Sequence, residues 1–97
     1  MELVTRIEII VPEFVVGEVV ECLARHGLTA YTIARGLSGR GERGVQDAEG
    51  SAGAFGNAAV LVASPPASAP ALLEDLRPLL ARYGGLCLAS DARSLRH

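Results

Sequence analysis

Residues 35 to 44 read Arg35-Gly36-Leu37-Ser38-Gly39-Arg40-Gly41-Glu42-Arg43-Gly44. Glycine lets backbone N–H groups come close to an anion, and arginine adds charge in a planar fork. Such a stretch is a candidate anion site, with phosphate or carboxylate as the ligand class. Two other places share the character: the turn Gly84-Gly85 and the pair Arg93 and Arg96 near the end of the chain. All nine basic residues are arginines, so amine chemistry such as a Schiff base or a P-loop lysine is excluded.

Catalytic constellations are missing from the pattern. Ser38, His26 and Asp47 make a triad only on paper, because nothing in their spacing favours one. Gly36, Gly39 and Gly41 do not match the offsets of a dinucleotide-binding fingerprint, and no Walker A motif occurs. His26 closes a helix and His97 is the last residue; both are read as helix-end or surface groups. Glu42, Asp47 and Glu49 are read as solvated loop carboxylates, with cation binding as the alternative, and Cys22 and Cys87 as buried, reduced thiols, with a redox bridge between them as the alternative. No metal site and no catalytic residue is assigned. A binding or sensing module is expected, not an enzyme.

The bulk properties agree. Ninety-seven residues of 10.1 kDa, 49% hydrophobic and 21% charged, are expected to form one domain spanning residues 1–97. A net charge of -2 argues against a general nucleic-acid or membrane-surface binder. No apolar run reaches the roughly 18 to 20 residues of a membrane span. The opening MELVTRIEIIV lacks the layout of a signal peptide, so the cytoplasm is the expected location.

The elements that would position these groups follow from periodicity. Residues 3–11 alternate as a strand stopped by Pro12. Residues 13–26 form a helix whose stripe is Val15, Val16, Val19, Val20, Cys22 and Leu23, ended by His26-Gly27. Residues 28–36 return as a strand, and residues 37–56, with six glycines, are a long loop. Residues 57–64 form a third strand, apolar on both faces. Residues 68–83 form a second helix, with a kink or break expected at Pro78. Residues 86–89 are a short fourth strand before a polar tail.

The order β-α-β-β-α-β is the ferredoxin-like split βαβ plan, an α+β fold. Its sheet carries both helices on one face. The other face is too apolar here to stay bare, so burial by self-association is expected. A few hundred Å2 per subunit would contribute several kcal/mol at roughly 25 cal/mol per Å2.

With these residues in view, the chain resembles the PII signalling superfamily of trimeric ferredoxin-like proteins, which carry a long flexible T-loop between strands two and three. The resemblance runs from about residue 4 to residue 96. Its marks are TRIEIIVPEFVVGEVVECLARHGLTAYT, then Thr32 and Arg35 to Gly41 at the loop base, and the Gly-Gly turn before strand four. The loop lacks the tyrosine-bearing uridylylation segment, and RYGGLC replaces the lysine-bearing turn of nitrogen-regulatory PII proteins. The pattern is closer to the PII-like branch linked to inorganic-carbon uptake and carboxysomes. That resemblance implies AMP or ADP between subunits, with ATP and cyclic AMP as further candidates and bicarbonate as a co-ligand. It implies Thr32, Gly36, Gly39, Arg40 and Gly41 near the nucleotide, Gly84 and Gly85 framing the phosphates from the neighbouring subunit, and Arg93 or Arg96 reaching in from an adjacent chain. It also implies a protein partner, such as a bicarbonate transporter or a carboxysome component, met by a loop at about 37–56. The competing readings are a metal-responsive trimer resembling the CutA family, a structural scaffold without a small-molecule ligand, and an acylphosphatase-like hydrolase. The last lacks an early catalytic Arg-Asn pair.

Overall fold

The computed structural model describes residues 1–41, 44–46 and 56–96. Strand β1 (Glu2–Pro12) buries Ile7, Ile9 and Val11 completely, which settles which side of its alternation faces the core. Pro12 is the last residue of that strand, opposite Asn57, where its missing N–H costs little. A 3-10 turn over Glu13–Val15 then leads into helix α1 (Val16–Arg25). Val16, Val19, Cys22 and Leu23 form the buried stripe of that helix. It stops as the His26-Gly27 pair predicts. Gly27 takes φ +76°, its N–H donates to the Ala24 carbonyl (2.9 Å), and the Leu28 N–H donates to the Leu23 carbonyl (2.9 Å). This is a Schellman turn.

Strand β2 (Thr32–Leu37) starts four residues later than the alternation from Leu28 suggests. It pairs only with β5 (Asn57–Ser64) and contains a bulge between Ala34 and Leu37, with Gly36 at φ +70°. The expected loop is not featureless: β3 (Gly39–Gly41) and β4 (Gly44–Gln46) pair as a small antiparallel hairpin, with Arg40 opposite Val45. The rest of that loop, with Glu42, Arg43, Asp47 and Glu49, lies outside the described residues, as does His97, and so does the flexibility expected of it.

Helix α2 (Ala69–Tyr83) buries Ala69, Leu72 and Leu76 and runs unbroken through Pro78. Pro78 and Glu74 are both exposed, so the carbonyl that Pro78 leaves without a donor faces water, and the expected break is not forced. Strand β6 (Leu86–Ser94) runs well beyond the four residues expected and takes in most of the supposed polar tail. Backbone pairing along β1, from Leu86 opposite Ile10 to Ser94 opposite Glu2, holds these small polar residues in place.

The main sheet has the order β2-β5-β1-β6, wholly antiparallel, with both helices on one face. This is the ferredoxin-like α+β fold. Core residues come from β1, β5, α1 and α2, with Ile33 of β2 and Cys87 of β6 packed against them. Strand register places Thr32, Leu61, Glu8 and Leu88 in one row across the opposite face, with Ala34, Ala59, Ile10 and Leu86 in the next. On that open face Leu61, Leu86 and Leu88 are 37%, 50% and 49% exposed. In its middle, the Arg6 guanidinium pairs with Glu8 at 3.1 Å.

The step from α2 into β6 is two glycines long. Gly84 is buried at φ +81°, and its N–H donates to the Leu80 carbonyl (2.9 Å). Gly85 has φ +135°, and a Cβ there would fall on the Ile10 carbonyl oxygen, with Leu80 and Val11 side-chain carbons 3.2 Å away. Gly85→Ala is therefore expected to cost about 2 kcal/mol or more, through left-handed strain and a backbone collision. The urea midpoint should fall at unchanged slope, and an unchanged midpoint would refute the close approach.

Candidate functional site

The glycine–arginine segment is placed by the end of β2. After Leu37 the chain turns directly into the β3–β4 hairpin, so Gly39, Arg40 and Gly41 sit at the root of the loop, beside the sheet edge. Among the described residues, no atom outside its chain neighbours lies within 4 Å of where a Cβ would stand on Gly36 or Gly39. The backbone there is approachable, as anion recognition through N–H groups requires. Arg40 is exposed. Arg35, just before it, lies 3.8 Å from Glu13.

The two C-terminal arginines differ. Arg96 is neutralised by Glu2 at 2.7 Å. Arg93 makes no salt bridge among the described residues and borders a shallow cavity of about 470 Å3 with Thr32, Leu61, Val4, Arg6 and Ala92, although its register opposite Leu3 starts its side chain on the helix side of the sheet, away from the face that carries Thr32. Arg96 lines a neighbouring cavity of about 300 Å3 with Gly27, Leu28 and Ala30. Of the pair, Arg93 is the better placed to meet a ligand. It borders that cavity and carries a charge that no carboxylate among the described residues takes up.

The nine predicted site residues do not meet within one chain. Gly84 and Gly85 stand at the start of β6, at the same end of the sheet as the close of β2 and its hairpin, but on the opposite edge. Two strands separate those edges, so they lie roughly 14 Å apart. Arg93 stands seven residues down β6 from Leu86, roughly 23 Å away. A ligand touching all three elements needs more than one copy of the chain.

The helix layer contains a group that the sequence reading passes over. Cys22 of α1 and His26, the residue that caps that helix, are four apart and come to the same side, where Asp75 of α2 meets them. The His26 Nε2–H donates to Asp75 Oδ2 at 2.9 Å, and Arg25 lies 3.9 Å from the same oxygen. The i, i+4 spacing was visible in the sequence. The carboxylate, 49 residues further on, was not.

Cys22 is buried and Cys87 half-buried, and both are free thiols. Burial, then the Asp75 charge, pushes the Cys22 thiol above its ordinary range against an opposing pull from Arg25; burial alone raises Cys87. A raised pKa means less thiolate at a given pH. Alkylation of Cys87 at pH 8 should therefore be slower than that of an unstructured thiol and should keep rising with pH beyond the usual thiol range, with Cys22 slower still. Rates equal to those of the unfolded chain would contradict the burial.

The glycine-rich loop root, an Arg93 without a salt bridge among the described residues and an uncovered sheet face all sit on a ferredoxin-like frame. The chain matches the family described as nitrogen regulatory protein P-II over residues 4–97, and it belongs to that family. Among solved structures it is similar to the PII-like protein CPII of Thiomonas intermedia K12 bound to ADP and bicarbonate. The identity is 26%, the TM-score 0.84, and 97% of this chain and 90% of that one are covered. CPII with ADP, AMP and bicarbonate superposes with a TM-score of 0.88 at 24% identity, over 97% and 90% of the two chains. A PII-like signaling protein of Thermus thermophilus gives 0.73 at 21%, over 95% and 91%. No curated protein matches the chain. Among the described residues, no helix is long and apolar enough to cross a membrane.

Proposed function

We propose that this protein is a non-enzymatic PII-like regulator, built as one domain over residues 1–97, that works as a homotrimer and binds AMP or ADP in the clefts between its subunits. The observation that carries the reading is the separation of the site residues. The loop root with Gly36, Gly39, Arg40 and Gly41, the Gly84-Gly85 step and the pair Thr32–Arg93 lie too far apart in one chain to hold one ligand. Assembly through the open face would bring elements of different copies together. Leu61, Leu86 and Leu88 supply the apolar area for it.

In this arrangement Gly39 and Gly41 present backbone N–H groups to the phosphates and Arg40 adds a charged fork. Thr32 contributes a hydroxyl near the nucleotide, and Arg93, ahead of Arg96, reaches from the adjacent chain. CPII was solved with ADP, AMP and bicarbonate, which supports adenine nucleotides as ligand class and bicarbonate as co-ligand. ATP and cyclic AMP are the further candidates. Bound nucleotide then governs how the loop at 37–56 is presented to a protein partner. A bicarbonate transporter or a carboxysome component is the partner class, in the cytoplasm.

Calorimetry with AMP, ADP and ATP tests the reading. Arg40→Ala should weaken ADP binding about tenfold to a hundredfold, as expected for the loss of charge-assisted hydrogen bonds. Arg93→Ala should weaken it more than Arg96→Ala. No heat with any nucleotide would end the proposal. In light scattering the wild type should have the mass of three chains and Leu88→Arg a lower one; a wild-type monomer would overturn the shared cleft.

A further inference from the structure

We propose that Cys22, His26 and Asp75 form a binding site for Zn2+ that ties the end of α1 to the middle of α2. The three donor atoms, one sulfur, one nitrogen and one oxygen, lie within 4.8 Å of one another. In a tetrahedral zinc site with Zn–S near 2.3 Å and Zn–N and Zn–O near 2.0 Å, neighbouring donors are about 3.3–3.5 Å apart. His26 Nε2 and Asp75 Oδ2 are now 2.9 Å apart across a hydrogen bond, so seating an ion there requires them to part by only a few tenths of an ångström. The donor set is of the borderline kind that zinc takes, and it is unsuited to Mg2+ or Ca2+, which want oxygen alone.

The surroundings favour the same conclusion. Two donors are fixed by the helical i, i+4 repeat, and Cys22 is wholly buried, so its position is set by packing. The Asp75 side chain is 47% exposed, which gives the ion an entry path and leaves its fourth position to water. The cluster lies at the C-terminal end of α1, where aligned peptide dipoles favour a cation. Thiolate and carboxylate together neutralise a divalent ion. Arg25 is the opposing charge, 3.9 Å from Asp75 and hydrogen-bonded to the Cys22 thiol, and its 60% exposed side chain has to give way to the ion. The site is in the helix layer, across the sheet from the open face, so it does not depend on the nucleotide reading.

Zn2+ titrated into the metal-free full-length protein should bind with a stoichiometry of one per chain in calorimetry and should raise the melting temperature. Co2+ in its place should give a thiolate-to-metal charge-transfer absorption. Asp75→Asn and His26→Gln should each weaken zinc binding about tenfold or more. Cys22→Ser should abolish the absorption, and Cys87→Ser should leave it intact. Arg25→Ala should tighten binding, an effect a merely structural contact would not produce. Asp75 is exposed and His26 lies at the helix end outside the core, so their variants keep the test valid even if Cys22→Ser fails to fold. Absence of zinc binding in the wild type, or binding unchanged in both Asp75→Asn and His26→Gln, overturns the proposal.

Discussion

Burial on one side of the sheet is the constraint on which the rest of the structure depends. Ile7, Ile9 and Val11 of β1 and Val60 and Val62 of β5 point to the helices, and α1 and α2 cover them. Strand alternation then fixes what points the other way, because a residue one step along the chain must emerge on the opposite face. Val4, Ile10, Leu61, Leu86 and Leu88 are on that face as a consequence. Both helices lie on the other side, so among the described residues no helix packs on this face.

The same alternation explains which parts of the fold were legible in the sequence. The strict repeat of Ile7, Ile9 and Val11 and the helical stripe through Val19 and Leu23 follow from burial, which leaves a periodic trace. The stop at His26-Gly27 follows from local turn chemistry and was equally plain. Residues 90–94 gave no such trace. They pair through the backbone at a sheet edge, and ladder hydrogen bonds do not care whether a side chain is polar. The β3–β4 hairpin was hidden for the same reason, with glycines at both ends of its pairing. Pro78 misled because the cost of proline depends on where the orphaned carbonyl points, which is a property of the packed helix.

The candidate site was legible in chemistry and illegible in geometry. Glycine and arginine between 35 and 41 mark a candidate anion site without any coordinates. They do not say that Gly85 is held against the Ile10 carbonyl, or that Arg96 is occupied by Glu2 while Arg93 lines a cavity. The meeting of Cys22, His26 and Asp75 depends on how α1 and α2 cross, which no spacing within either helix encodes.

The Arg6–Glu8 pair, set among leucines, acts as a registration key for whatever covers that face. Leucine tolerates sliding, since one apolar contact replaces another at little cost. A guanidinium and a carboxylate do not: displaced by one residue they meet hydrocarbon, and an unmatched buried charge costs several kcal/mol. An interface built here is therefore adhesive through its leucines and particular about alignment through two side chains, 3.1 Å apart, near its centre.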